Sequence, residues 1–308
     1  MAKSRYALNQ SPLFKLQSKR KLASLFRLDV KAMVTLANNT NNFHKFEVEK
    51  DGKLRSVQVP KKDLEAIHVR LFKLLQRLVT PDYLHSGIKG RSHVTNALAH
   101  DGSVSTSKLD VKKYYPSTKR ESVYSFFRKR LLCSPDVAKI LSDLSCVDGH
   151  IPTGSTLSQL LAFFSSQSMF DEIASLAKKH NVCFTLYVDD LTFSGKGVNP
   201  RFIWQVKQLI KKHGYIYHKE ETAPPNKTKV VTGVAVTGSG ARVRNSHQER
   251  IHELYVQYLN NTIHSKDMAR LVGMLSSASQ VNSKMANKLQ NLLHSETYRA
   301  SKLENEKS

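Results

Sequence analysis

Two aspartates stand side by side in Leu186-Tyr187-Val188-Asp189-Asp190-Leu191-Thr192-Phe193-Ser194-Gly195, among residues that favour strands. Adjacent carboxylates in so apolar a setting are costly unless the chain uses the charge. Phe184, Leu186 and Val188 before the pair, with Leu191 and Phe193 after it, alternate with period two, which predicts a β-hairpin with the carboxylates at its tip. Like charges this close raise each other's pKa unless a cation holds them, so a divalent metal is the natural resolution. Oxygen-only ligands favour magnesium over zinc. A solvated turn is the plain alternative, because Asp is a common turn residue.

A second aspartate with similar flanks argues against that alternative. In Ser107-Lys108-Leu109-Asp110-Val111-Lys112-Lys113-Tyr114-Tyr115-Pro116-Ser117 an apolar residue stands on each side of Asp110, which predicts a strand end there as well. One strand with one Asp beside a hairpin with two gathers three carboxylates at a sheet edge, the ligand set of a two-metal phosphoryl-transfer site.

Charge narrows the partner. The 308 residues hold 48 Lys and Arg against 25 Asp and Glu, a formal net charge of +23, which suits a polyanion. No basic amphipathic helix with a clean apolar face is found at either end, and the longest apolar run, Leu160 to Phe164, is far too short to span a bilayer, so nucleic acid is expected and a membrane is not. Met1-Ala2-Lys3-Ser4-Arg5 leads into no signal-peptide core, so a cytosolic location is expected. Cys133, Cys146 and Cys183 are odd in number and widely spaced, and read as buried small hydrophobes; the 13 histidines show no metal-ligand spacing.

Tyr187-Val188-Asp189-Asp190 resembles the active-site box of reverse transcriptases, and Asp110 lies where that family keeps its third metal-binding aspartate. The resemblance implies catalytic Asp110, Asp189 and Asp190. It also implies two magnesium ions held by Asp110, Asp189 and the Val111 backbone carbonyl, with Asp190 in support. The fold it implies is α+β, a right-hand polymerase with fingers, ferredoxin-like palm and helical thumb. The expected divisions are a basic N-terminal arm over 1–42, fingers over 43–105, palm with interleaved fingers segments over 106–240 and thumb over 241–308.

Along the chain, residues 1–28 carry seven Lys or Arg and no acid; they read equally as an arm on nucleic-acid backbone or as a solvated helix with one packed face. Alternation from Phe43 to Val59 around Asp51-Gly52 predicts a hairpin. Leu64, Ile67, Leu71, Leu74, Leu75 and Leu78 then share a helical face. In the family such a basic hairpin carries an Arg that grips the incoming triphosphate, and Arg55 occupies that place. Within Gly87 to His100, Asn96-Ala97-x-x-His100 resembles the box that marks retron reverse transcriptases. On one helical face the pair would hydrogen-bond RNA; alternatively Asn96 caps the helix that holds His100. The Asp110 strand is expected to continue to Tyr115, where the family's aromatic residue stacks under the sugar of the deoxynucleoside triphosphate and blocks a ribose 2′-hydroxyl.

Thr118 and Glu121 suggest a capping box, as do Ser246 and Glu249. Ile151-Pro152-Thr153-Gly154-Ser155 resembles the family's Pro-Gln-Gly turn, with Thr153 in place of the Gln. Asn199-Pro200 opens a helix that Gly214 closes, completing the strand, helix, hairpin, helix order of a ferredoxin-like palm. In Gly214 to Thr222 the family's Lys is replaced by Glu221, with Lys219 as a possible substitute. Val231-Thr232-Gly233 matches a second retron triplet implied to touch RNA. Helical periodicity from Ser246 to Leu293 resembles a thumb whose Arg250, Lys284 and Lys288 would track phosphates, and the tail from Arg299 is expected to fray.

The resemblance therefore implies a bacterial cytoplasmic RNA-directed DNA polymerase that extends a 2′-hydroxyl of a structured non-coding RNA which it also copies. The product would be branched RNA–DNA (msDNA), made in antiphage defence with a possible effector protein. The alternatives are an RNA-binding, maturase-like protein without polymerase activity and a group II intron-type reverse transcriptase.

Overall fold

The computed structural model describes residues 5–50, 52–296 and 298. The expectations for Asp51, for most of Met1 to Arg5 and for the tail over 299–308 lie outside them.

Two short helices, α1 (Lys19–Phe26) and α2 (Val30–Asn38), start where Ser18 and Asp29 accept backbone N–H groups of Lys21 and Ala32. With Leu13 and Leu16 they bury Leu22, Ala23, Phe26 and Met33 in the main core, so this segment is packed rather than free. β1 (Phe43–Lys50) and β2 (Lys53–Pro60) form the predicted hairpin, with Phe43 opposite Pro60. α3 (Lys62–Leu75) buries Leu64, Ile67, Leu71, Leu74 and Leu75 because their spacing puts them on one face. α4 (His93–Leu98) starts at a capping box formed by Ser92 and Thr95.

The central sheet contains β3 (Thr106–Val111), β4 (Cys183–Tyr187), β5 (Asp190–Ser194) and β6 (Tyr217–Ala223) in the order β4-β5-β3-β6, all antiparallel. Between β3 and β4 lie α5 (Tyr114–Ser117), α6 (Arg120–Ser125) with a π-helical turn over Phe126–Arg130, α7 (Pro135–Ser145) and α8 (Ser158–Lys179). α9 (Pro200–Lys212) links β5 to β6; Asn199 caps it and Gly214, at φ 79°, follows its end. Strand, crossover helix, hairpin, helix, strand in this order is the ferredoxin-like palm.

A second sheet of β7 (Lys229–Val231), β8 (Val234–Thr237) and β9 (Gly240–Val243) packs Val231, Val234 and Val236 on Val94 and Ala97 of α4. α10 (Asn245–Leu259), α11 (Ser265–Ala278) and α12 (Ser283–Leu293) enclose a separate core of Ile251, Leu254, Met268, Leu271, Leu275 and Leu292. The chain is of the α+β class, and its central sheet has the ferredoxin-like order expected of a polymerase palm. Among the described residues no helix is long and apolar enough to cross a membrane.

Four local expectations need correction. β3 ends at Val111, because the backbone turns at Lys113 (φ 49°) into α5, so Tyr115 is helical. Thr118 does not cap α6: its hydroxyl donates to the Tyr114 carbonyl, and Lys119 is the N-cap. Ser246 already lies inside α10, whose N-cap is Arg244. Cys183 is exposed, because it begins β4 at a sheet edge.

Candidate active site

Register brings the aspartates together. β5 pairs with β3 so that Leu191 faces Leu109 and Asp190 faces Asp110. Since strand side chains alternate, Leu109, Val111, Leu186, Leu191 and Phe193 turn into the core while Asp110 and Asp190 share the opposite face. Asp189 occupies the β4–β5 turn after Val188, a β-branched residue held at φ 60°. Such a residue in the left-handed region is strained, by a cost of order 1–3 kcal/mol. Two bonds hold it there: the Val188 N–H donates to Ser86 Oγ (2.9 Å) and the Val111 N–H donates to the Asp189 carbonyl (3.0 Å). The second joins the hairpin tip to the end of the strand that bears Asp110.

Burial, and then the charges of Asp110 and Asp190, push the Asp189 carboxyl up to about 7. Asp190 is also raised, first by desolvation of its carboxyl and then by Asp110. Opposing these is Lys219 of β6. A register shift between Lys108 and Asp110, with Lys219 at φ 51°, puts Lys219 Nζ 3.3 Å from Asp110 Oδ2 and His218 Nδ1 3.1 Å from Oδ1. Lys219 therefore reaches the site by a bulge, whereas Glu221 pairs with Lys108. His218 and Lys108 went unremarked in the sequence, since only the β3–β6 register brings them to the aspartates.

Among the described residues no three His, Cys, Asp or Glu side chains are already gathered into a metal-ligand set. The donor chemistry nevertheless suits a hard cation. Asp110 Oδ1 is buried and accepts no well-formed hydrogen bond, and Asp189 sits between two further carboxylates that raise its proton affinity.

Tyr115 lies on α5 beside Tyr114, and burial together with Asp189 pushes its phenol up to about 12. Arg55 is exposed on β2 opposite Val48. Thr153 turns toward β2, its hydroxyl donating to the Ser56 carbonyl (3.0 Å) and its N–H to Gln58 Oε1 (3.2 Å). Gly154 permits this approach, since a Cβ there would lie 2.8 Å from the Gln58 carbonyl oxygen.

The chain is similar to the Retron Se72 reverse transcriptase of Salmonella heidelberg, 24% identical over 263 residues that cover 82% of this chain and 68% of that one. It is also similar to the Retron Ec86 reverse transcriptase of Escherichia coli, at 24% over 79% of this chain and 78% of the relative. The Retron Mx162 reverse transcriptase of Myxococcus xanthus is 26% identical over 71% of this chain, and only 51% of its own length is covered. The chain is thus similar to several retron reverse transcriptases. No family model matches it. Among solved structures, a foamy viral protease–reverse transcriptase with double-stranded DNA shares 15% identity at a TM-score of 0.47, covering 95% of this chain and 47% of that chain. An apo telomerase from Candida tropicalis shares 12% at 0.48, covering 67% and 55%.

The retron-like boxes meet in space, but several of their side chains turn inward. Asn96 is fully buried and its Nδ2 donates to Thr232 Oγ1 (3.4 Å), while the Thr232 hydroxyl donates to the His93 carbonyl (2.6 Å). His100 is 6% exposed, and its ring nitrogens are each 2.7 Å from a hydroxyl, Ser194 of β5 and Thr185 of β4. Val231 is core. Packing of α4 on both sheets covers Asn96, His100 and Val231, so contact of these side chains with RNA would require that packing to open. Asn96 does not cap α4, since Ser92 does. Thr232 and Gly233, at φ 43° and 87°, make the β7–β8 turn, where Gly233 is exposed.

Buried Lys229 was also missed. Its Nζ donates to the carbonyls of Gly102 (3.0 Å) and Val104, so it ties β7 to the segment that enters β3. On the C-terminal bundle Arg250 is paired with Glu253 (2.7 Å), Lys284 is exposed, and Lys288 lies 4.6 Å from the Tyr255 ring centre.

Proposed function

We propose that this chain is an RNA-directed DNA polymerase of the retron type. The observation that carries the reading is Asp110 opposite Asp190 across β3 and β5, with Asp189 tied to the Val111 N–H, in a strongly basic chain related to retron reverse transcriptases. Asp110, Asp189, Asp190 and the Val111 carbonyl would hold two magnesium ions, which when bound lower the pKa of the attacking hydroxyl and neutralise the triphosphate. Lys219, next to Asp110, is placed to offset charge on the leaving pyrophosphate. Tyr115 is the proposed sugar gate and Arg55 the triphosphate contact. Thr232, Gly233, Arg250, Lys284 and Lys288 are the proposed RNA contacts, the lysines and arginine acting by phosphate neutralisation. The remaining features of the reading are a 2′-hydroxyl primer in a structured RNA that also serves as template, an msDNA product, an effector partner in antiphage defence, and a bacterial cytoplasmic setting. For the lobes we propose an arm over 1–42, fingers over 43–105, palm over 106–240 and thumb over 241–308.

The test is to express the chain in bacteria with its neighbouring non-coding DNA and run extracted nucleic acid on a denaturing gel before and after RNase. A short DNA whose mobility changes with RNase, and which is absent from the Asp189→Asn/Asp190→Asn variant, is expected. One observation favours a binding-only protein: Asp110 already faces Lys219 and His218. RNA binding without any such DNA would support that reading.

A further inference from the structure

The lone tryptophan of the chain, Trp204, is 60% exposed, although aromatic residues are normally covered. It lies on α9, which buries Phe202, Ile203, Val206 and Ile210 against the palm. Phe202 stacks edge-on against Phe193 of β5, at 5.4 Å between ring centres. Phe193 and its neighbours occupy the sheet face opposite Asp110 and Asp190, so the outer face of α9 looks away from the carboxylates.

That outer face has a composition of its own. Arg201, Trp204, Gln208 and Lys211 follow one another at intervals of three, four and three residues, which on a helix makes one continuous stripe, and all four are exposed. α9 contains Arg201, Lys207, Lys211 and Lys212 and no acid. Glu220 of β6 and Glu172 of α8 are held by Lys207 and Lys212, and among the described residues Arg201 and Lys211 have no ion-pair partner. Beside the stripe Tyr217 of β6 is flanked by Lys207 and Lys211, at 5.0 and 5.8 Å from its ring centre. An exposed aromatic plane between unpaired cations, on a chain of charge +23, matches what single-stranded nucleic acid recognises: phosphates meet Arg201 and Lys211, and a base stacks on the indole.

We infer that the outer face of α9 is a second nucleic-acid surface, behind the palm, which holds an unpaired RNA segment through stacking on Trp204. Only the identity of that RNA as the chain's own template rests on the proposed function. The contact itself follows from the stripe. A protein covering the same face is the competing occupant, and the acid-free, cation-flanked stripe argues for RNA instead.

Because Trp204 is the only tryptophan, its fluorescence reports on this face alone. The full-length chain is titrated with a short oligouridylate, and binding is followed in parallel by anisotropy of the labelled RNA. Saturable quenching that weakens with added salt is expected. Trp204→Ala should weaken binding by about fivefold or more, and Trp204→Phe by less, because a phenyl ring still stacks. Arg201→Glu with Lys211→Glu should weaken quenching and binding together. RNA binding without quenching, or binding unchanged in Trp204→Ala and in the charge-reversal variant, would overturn the inference. Emission shifted by a co-purifying protein and insensitive to RNA would overturn it too, in favour of a protein partner. Extension of an RNA primer on a short template by the unsubstituted chain is measured in parallel. Absence of extension in the unsubstituted chain counts against the polymerase reading and leaves the α9 result standing.

Discussion

The carboxylate edge and the α4 junction with the small sheet treat buried polarity in opposite ways. At the edge, three aspartates repel one another, Asp110 Oδ1 accepts no well-formed hydrogen bond and Val188 is strained. At the junction His100 has a hydroxyl at each ring nitrogen, and Thr232 holds both Asn96 and the His93 carbonyl. The difference lies in charge and strain: the edge gathers repelling carboxylates beside a strained residue, whereas the junction gathers neutral groups that are paired except for Asn96 Oδ1, which is buried without a partner. Strain and repelling charge mark the first region as chemical; neutral, largely paired burial marks the second as architectural.

The comparison can be broken most decisively at the edge. Asp110→Asn, or Asp189→Asn with Asp190→Asn, should lower DNA synthesis about a thousandfold or more while RNA affinity stays within about twofold, measured by primer extension and filter binding. Synthesis that survives would remove the aspartates from the chemistry. At the junction, His100→Ala strands two hydroxyls and should cost about 2–4 kcal/mol of stability in urea unfolding. Unchanged stability with weakened RNA binding would collapse the distinction between the regions.

A pH series sharpens the electrostatic half. The Asp189 carboxyl is raised from 3.8 to about 7, so between those values the folded state binds more protons than the unfolded state. Stability without divalent cation should therefore fall as pH rises through that window, by about 2 kcal/mol once the repulsion is shared among coupled carboxylates. In Asp189→Asn the decline should shrink, and millimolar magnesium should oppose it in the unsubstituted chain. Tyr115→Ala should relax discrimination against ribonucleotides about tenfold, read from competing incorporation; unchanged selectivity would leave Tyr115 as packing. The smallest expected change is for Lys284→Ala, which should reduce the slope of log affinity against log salt by about one unit with little loss at low salt.

Local elements with strong periodicity were legible: the hairpin with Phe43 opposite Pro60, the apolar face of α3, the Asn199–Pro200 start and Gly214 end of α9. Each depends on residues a few positions apart. Caps were less legible, because Thr118 and Glu121 satisfy the capping pattern while the Thr118 hydroxyl is claimed by the Tyr114 carbonyl in the preceding turn. The burial of Asn96 and His100 was illegible for a longer-range reason, since their covering surfaces arrive from residues 185–194 and 231–236.

Sequence alone determined that the chain is basic, that its carboxylates fall in a hairpin tip and at a strand end, and that a retron-type polymerase is the natural comparison. Charge, strand alternation and the Tyr187-to-Asp190 box are local properties that survive without a fold. Tertiary structure decided which side chain faces which. The one-residue shift that brings Lys219 to Asp110, the burial of His100 behind the aspartate-bearing hairpin and the exposure of Trp204 behind the central sheet are each set by register and packing between segments distant in the chain. No local pattern contains that information, because a strand's partner, and therefore its neighbours across the ladder, is chosen only when the sheet closes.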